Sequence, residues 1–421
     1  MSKKETICIQ GNYNPANREP RVLPLYQSTT FKYSSVDELA DLFDLRTSGH
    51  IYSRISNPTV QAFEEKINLL EGGVGSVALA SGQAANMTAV LNICKSGDSI
   101  LCSTKVYGGT FNLLGTSLKN FGIKFISFDP DCSIEEIKSL ADKNTKLLFA
   151  ETISNPSLDV LDFDKISKVA KELDIPLIVD NTLASPYLCN PLELGANIVT
   201  HSTSKYIDGH ATCLGGIIID GGNFNWNNKK FECVVENDPS YHGISYVEHF
   251  KEAAYISKAR VQLLRDYGNC MSPFNAYLSN LLSETLHLRM GRHCDNALKI
   301  ARFLEQHKNI EWINYPGLES SKYYELATKY LPKGCSGVLS FGIKGGLDSA
   351  KEFISKLKIA ALVTHVADNR TCVIHPASTT HRQLNEKEQI EAGVLPSLIR
   401  LSVGIENVED LIEDLNQALE I

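Results

Sequence analysis

Lys205 ends the run Asn197–Lys205, NIVTHSTSK, where a β-branched stretch passes into Ser202, Thr203 and Ser204 and then a single amine. A lysine that is buried or crowded by charge loses its proton and attacks carbonyl carbon, forming a Schiff base. Two other apolar runs also end in reactive groups. KLLFAET, Lys146–Thr152, reaches Glu151 and is followed by Asn155, and IPLIVDN, Ile175–Asn181, reaches Asp180. Taken singly, each terminus reads as a turn former, a helix cap or, for Lys205, a solvated lysine in a turn. Together they could bring an amine and carboxylates to one edge of a sheet.

The surrounding pattern supplies that sheet. Short apolar runs alternate with amphipathic stretches: Ser76–Ala80 as strand and Gln83–Cys94 as helix, Ser99–Ser103 as strand and Thr110–Phe121 as helix, Lys124–Phe128 as strand before a helix capped by Ser133. Lys146–Thr152 as strand precedes a helix over Asp164–Leu173, and Pro176–Asp180, Ile198–His201 and Ile217–Ile219 complete the series. Near-continuous Val/Ile/Leu strands separated by helices predict an α/β chain with a mostly parallel sheet covered on both faces. Ligands on such sheets bind at the carboxyl ends of the strands.

Ahead of the series, Asn57 and Pro58 open a helix whose face is Val60, Phe63, Ile67 and Leu70 and which Gly72-Gly73 ends. Residues 1–57 are poor in regular pattern and read as an arm. The strand series and the Asn-rich stretch behind it make a domain over 58–255. Residues 256–421, with helices at Pro273–Gln306, Ser349–Leu357 and Val408–Leu419 and strands at Gly337–Ile343 and Leu398–Val403, make a smaller α+β domain.

The 421 residues suit more than one core. Their 49 acidic and 41 basic side chains, net −8 and without a basic block, argue against nucleic acid or an anionic membrane as partner. No apolar run reaches the ~18 residues of a membrane helix, and the start MSKKETICIQG has no signal-peptide core. Eleven cysteines, an odd number with no CxxC pair, read as reduced thiols of a cytoplasmic protein.

A nucleophilic lysine joined with a carboxylate points to pyridoxal phosphate, whose ring nitrogen needs an acidic partner to stay protonated. Asp180 could be that partner, and the hydroxyls of Ser202 and Ser204 could reach the phosphate. A second anion cradle lies in ALASGQAANMTAV, where a strand ends, Ser81-Gly82 turn and a helix begins at Gln83. No GxGxxG or GxxxxGK[ST] motif occurs. Tyr107, in KVYGGTF, could stack on the cofactor ring. His201, His375 and His381 read as structural, with no metal site.

In order along the whole chain, YSRISNPT (Tyr52–Thr59), ASGQAA, VYGGTF, ETISNP, VDNT, HSTSKY, HPASTTH (His375–His381) and IRLSVGIE (Ile399–Glu406) resemble the fold-type I pyridoxal-phosphate enzymes of Cys/Met metabolism. The resemblance implies that Lys205 carries the Schiff base, Asp180 pairs with the ring nitrogen and Tyr107 stacks on the ring. By the same resemblance Asn155 lies near the cofactor 3-hydroxyl, and Ser81, Gly82, Gln83, Ser202 and Ser204 hold the phosphate. Arg400 binds the substrate carboxylate. Tyr52 and Arg54 reach the phosphate of a neighbouring subunit, which makes the unit at least a dimer and a homotetramer, a dimer of dimers, the expected assembly.

Within the family, the stretches GNFNWNNKKFECVVENDPSYHGISYVEHF and KARVQLLRDYGNCMSPFNAYL and the run ETLHLRM are most similar to O-acetylhomoserine sulfhydrylases. Gly109 stands where methionine γ-lyases carry cysteine. That implies γ-replacement of acetate on O-acetyl-L-homoserine by sulfide or methanethiol, giving homocysteine or methionine. A methionine γ-lyase or a cystathionine synthase or lyase is the alternative within the family; a non-catalytic or hydrolytic α/β protein is the alternative outside it, although no GxSxG elbow is present. The chain departs from the sulfhydrylase pattern at His365, where NVGDAK is usual and HVADNR stands here. That position lies by expectation near the substrate carboxylate.

Overall fold

The computed structural model describes residues 2–11, 13–380, 382, 385 and 395–420. Seven strands form the large sheet: β1 (Gly75–Leu79), β2 (Ser99–Ser103), β3 (Lys124–Phe128), β4 (Thr145–Glu151), β5 (Leu177–Asp180), β6 (Ile198–Ser202) and β7 (Gly216–Asp220). Their order across the sheet is β1-β7-β6-β5-β4-β2-β3, and β7 runs antiparallel to both its neighbours while the other pairs are parallel. The parallel part of the sheet is therefore as expected, and β7 is the exception. β7 follows β6 through the loop 203–215, which holds no helix to carry the chain back across the sheet, and it pairs antiparallel to β6.

The strands alternate between two apolar layers. On β4, Leu148 and Ala150 enter one core while Leu147 and Phe149 enter the other; on β5, Val179 and Ile178 divide the same way. The first core continues through Met290, Ile300 and Phe341 into a second, five-stranded sheet. That sheet consists of β8 (Ile310–Asn314), β9 (Val338–Ile343), β10 (Ala361–Leu362), β11 (Cys372–Ile374) and β12 (Leu398–Ser402), in the order β10-β11-β12-β9-β8. β12 lies between β11 and β9, and there Arg400 pairs with Ile374 and Ser340.

The N-terminal residues are more regular than their composition suggests. Helix α1 (Lys4–Gln10) buries Ile7 and Cys8 in the first core, and α2 (Val36–Phe43) is capped by Ser35. Helix α3 (Pro58–Glu71) opens as expected, Asn57 Oδ1 accepting from the Thr59 N–H at 2.9 Å, and closes at Gly72 with φ of 80°. Helix α4 (Gly82–Leu91) follows β1, with Ser81 as its cap. The helix expected over Thr110–Phe121 is three short pieces: an α-turn at Gly108–Asn112, a π-turn at Leu113–Ser117 and a 3₁₀ turn at Leu118–Phe121. Three glycines and few strong helix formers in that stretch leave the α-helix little advantage over tighter or wider turns.

All eleven cysteines are free. Among the described residues no helix is long and apolar enough to cross a membrane.

Candidate active site

Register brings the reactive termini together. Glu151 pairs with Asp180 across β4 and β5, and Asp180 pairs with Thr200 across β5 and β6, so the carboxyl ends of three strands share one edge. Lys205 begins just beyond β6. The loop carrying it is closed at its base: the Thr203 N–H donates to Gly215 O at 3.0 Å, and the Gly215 N–H donates to Ser204 Oγ at 3.0 Å. Two glycines allow the opposite wall to approach. A Cβ on Gly82 would lie 2.6 Å from Ser202 Cβ, and one on Gly216 would lie 2.0 Å from Ser81 O.

A cavity of about 310 Å³ opens at this edge. Lys205, Asp180, Glu151, Asn155, Tyr107, Ser81, Gly82, Gln83, Ser202, Ser204, His365 and Arg400 all line it. Eleven of these twelve were expected as site residues, and the twelfth, Glu151, was noted as a strand terminus. A larger cleft, about 830 Å³, lies beside α3 and Arg260 and contains none of them. Tyr52 and Arg54 do not reach the smaller cavity of their own chain. Arg54 stacks over the Tyr52 ring at 5.4 Å and its guanidinium donates to the Arg265 carbonyl.

Asp180 is held by groups the sequence reading did not single out. Its Oδ1 accepts from the Thr182 N–H at 3.0 Å and from the Thr182 hydroxyl, while Oδ2 accepts from Asn86 Nδ2 at 3.2 Å. Asn86 is oriented in turn by Thr200, whose hydroxyl donates to Asn86 Oδ1 at 2.7 Å. Thr182 and Asn86 stand inside VDNT and next to ASGQAA, so proximity to those motifs was the only signal available for them. Glu151 accepts from the Tyr107 N–H at 2.7 Å; burial and the charge of Asp180 push its carboxyl well up. Tyr107 itself is about half exposed, its ring at the mouth.

Burial, and then the guanidinium of Arg400, push the Lys205 amine down to about 8. Its Nζ lies 3.2 Å from His365 Nδ1. Arg400 is buried, and that burial lowers it to about 10. Its Nη1 donates to Asn155 Oδ1 and its Nη2 to the His365 carbonyl, each at 3.2 Å. Asn155 thus contacts Arg400 within the chain. Ser81 Oγ caps α4 by accepting from the Ala84 N–H at 3.1 Å.

The histidines weighed as structural have protein partners. His201 Nε2 is 2.6 Å from Glu71 Oε1, both fully buried, and His375 bridges Ser378 and Pro396 at 2.8 Å each. His381 lies outside the described residues. Among the described residues no three His, Cys, Asp or Glu side chains form a group able to hold a metal.

A nucleophilic amine, a strand-end carboxylate, the opening turn of a helix and a buried guanidinium in one cavity define an enzyme that handles an anionic amino-acid substrate through a carbonyl cofactor. The sequence profile of the Cys/Met metabolism PLP-dependent enzymes matches residues 5–420, and the chain belongs to that family. It is 48% identical to an O-acetyl-L-homoserine sulfhydrylase of Leptospira meyeri, covering 99% of this chain and 96% of that one. It is 43% identical to a homocysteine synthase of Schizosaccharomyces pombe, covering 99% and 98%. A solved Campylobacter jejuni structure described as an O-acetylhomoserine (thiol)-lyase superposes with a TM-score of 0.96 at 39% identity over 100% of both chains, and carries N′-pyridoxyl-lysine-5′-monophosphate at its position 205.

The residues present fit pyridoxal phosphate. The cavity offers one amine for an aldehyde, one carboxylate for a ring nitrogen, and serine hydroxyls beside a helix opening for a phosphate. Buried Gln83 Oε1 and Arg400 Nε have no partner among the described residues.

Proposed function

We propose that this chain replaces the acetate of O-acetyl-L-homoserine with a small sulfur nucleophile, sulfide or methanethiol, giving homocysteine or methionine. The observation that carries the reading is the meeting of Lys205, Asp180 and Arg400 in one cavity. In this reading Lys205 would bind the cofactor aldehyde, and Asp180 would hold a proton on the ring nitrogen. Tyr107 would cover the ring face, Asn155 would serve the 3-hydroxyl, and Ser81, Gly82, Gln83, Ser202 and Ser204 would hold the phosphate. Pyridoxal phosphate, when bound, supplies an electron sink next to the substrate α-carbon.

The chain's own groups do the rest. Arg400 receives the substrate carboxylate with the planar fork that suits it, and His365 borders the same carboxylate. Lys205, weakened as an acid-holding amine by burial and by Arg400, takes the α-proton at Nζ and returns it later. The ester C–O bond breaks at the γ-carbon and acetate leaves with its electron pair. The sulfur nucleophile then forms the C–S bond there, losing the S–H proton as it does so, and that proton with the departed acetate makes up the acetic acid released. Water must be kept from the activated carbon chain, since elimination to 2-oxobutanoate and ammonia is the competing outcome. Tyr52 and Arg54 of a neighbouring copy would complete the phosphate side, which requires at least a dimer; we further propose a dimer of dimers, a cytoplasmic location, and a division into an arm (1–57), a cofactor-binding domain (58–255) and a C-terminal domain (256–421).

Gly82→Ala tests the phosphate side. The added methyl must displace Ser202 or the start of α4, an overpacking cost of ~1–3 kcal/mol, so pyridoxal phosphate affinity falls by ~10-fold or more. Cofactor retained through dialysis, followed by visible absorbance, measures it. The substrate assignment is tested by comparing homocysteine release from O-acetyl-L-homoserine plus sulfide with 2-oxobutanoate release from methionine alone. Faster release from methionine overturns the assignment in favour of a γ-lyase.

A further inference from the structure

The loop before β11 places an imidazole against the amine at the centre of the site. His365 Nδ1 is 3.2 Å from Lys205 Nζ, and among the described residues Nζ has no other hydrogen-bond partner. The loop is pinned on both sides. The His365 carbonyl accepts from Arg400 Nη2 at 3.2 Å and from the Cys372 thiol, and the Ala367 N–H donates to Ser402 Oγ at 2.7 Å. Val366 and Ala367 are buried, so the ring is presented from a fixed backbone.

Resting on the reading of Lys205 as the catalytic amine, we propose that His365 is its positioning residue: Nδ1 accepts a proton of the Lys205 ammonium and directs Nζ whenever that amine is free. The charged groups facing the ring come from three elements. They are Lys205 and Asp208 from the loop after β6, Arg400 from β12, and Asp368 from the ring's own segment. Asp208 is occupied by its own loop, accepting from the His210 and Thr212 N–H groups, and Asp368 is paired with Arg370 at 2.8 Å. Neither is hydrogen-bonded to the imidazole.

Burial first, and then the Lys205 charge, push His365 down to about 4, so the ring is neutral near pH 7 and can accept. With Nδ1 accepting, the ring proton sits on Nε2, which is buried without a partner among the described residues. A hydrogen bond to the charged form of a base favours that form. Removing the acceptor therefore leaves burial and Arg400, opposed only by Cys372, acting on the Lys205 ammonium, and its pKa falls further.

The test uses the full-length chain freed of pyridoxal phosphate. Trace labelling with acetic anhydride, read by mass spectrometry of the Lys205 peptide across neutral to alkaline pH, gives the midpoint of that one amine. In the unsubstituted chain the midpoint lies at about 8. In His365→Leu it falls by about one pH unit. In His365→Asn, whose Oδ1 can take the place of Nδ1, it returns to near the original value. Should leucine disturb the loop, His365→Ala deletes the ring without adding bulk and gives the same comparison. A midpoint unmoved by Leu and Ala, or an Asn variant that shifts as far as Leu, overturns the proposal. Neither cofactor nor ester is present in the measurement, so its outcome is independent of the assay that tests the substrate assignment.

Discussion

Lys205→Ala eliminates turnover of O-acetyl-L-homoserine, with a loss of ~10³-fold or more in kcat. The amine is asked both to attach the cofactor and to move the α-proton, and alanine can do neither. The rest of the cavity is untouched by the change, so pyridoxal phosphate still enters but is held without a covalent bond and is lost on gel filtration. Steady-state release of homocysteine, together with the cofactor absorbance before and after filtration, checks both parts. Retention of more than a few per cent of the activity would remove Lys205 from the mechanism.

The same substitution has an opposite effect on stability, and its sign follows from the direction of the shift. The folded state holds the Lys205 proton less tightly than an unfolded chain, whose amine keeps the ordinary value of 10.5. Below about pH 8 both states are protonated and the whole penalty of burying the ammonium is present. Between about 8 and 10.5 the unfolded state binds more protons, so stability rises with pH as the penalty fades. Alanine removes the penalty, and the cofactor-free variant melts above the cofactor-free parent at neutral pH, the difference closing as the solution becomes alkaline. An amine poised for chemistry is thus kept at a cost to the fold.

Asp180→Asn lowers kcat by ~10²-fold or more while changing KM far less. The side chain keeps its shape but cannot balance a positive charge on the cofactor ring. One of its positions becomes an NH₂ group, and Asn86 Nδ2, which donates to Asp180 Oδ2 at 3.2 Å, then faces a donor in place of an acceptor. The visible spectrum of the bound cofactor at fixed pH reports the ring nitrogen directly. A variant with near-normal kcat would show that Asp180 is only a turn former after β5, the plainer reading its position also permits.

How far these groups could be read from the sequence depended on where their partners lie. Lys205, Asp180 and Glu151 each close an apolar run, and a strand terminus is visible in one dimension because its pattern stops there. The helix at Pro58–Glu71 was equally legible, since Asn57, Pro58 and Gly72 are local signals. Asn86 and Thr182 were not distinguished. Their importance comes from a hydrogen bond spanning 94 positions in one case and a loop closure onto Ser202 in the other, neither of which leaves a periodicity. The antiparallel sense of β7 was likewise hidden, because Gly216–Asp220 has the same apolar composition as the parallel strands. The helices of the N-terminal residues were hidden for a third reason. Two short helices without long repeats look irregular, yet Ile7 and Cys8 enter the core through tertiary contacts.

One buried pair bears on how the chain avoids misassembly. On β6 the side chains of Thr200 and Ser202 face the cavity side of the sheet while His201, between them, faces the other way and meets Glu71 at 2.6 Å. Glu71 also accepts from Asn181 at 2.9 Å, so the last residue of α3 grips both β5 and β6 from behind. A slip of one residue along β6 would turn every side chain to the opposite face. Apolar neighbours such as Ile198 and Val199 would resist that exchange only weakly, an isoleucine-to-valine change in a core costing about 0.5–1.5 kcal/mol. The histidine would resist it strongly, because the slip takes the imidazole from a buried carboxylate, leaving it only amide partners, and sets that imidazole where a serine or threonine belongs. A polar contact on the silent side of the sheet therefore acts as an error check on the strand that delivers the lysine, penalising a one-residue slip that Ile198 and Val199 alone would resist only weakly.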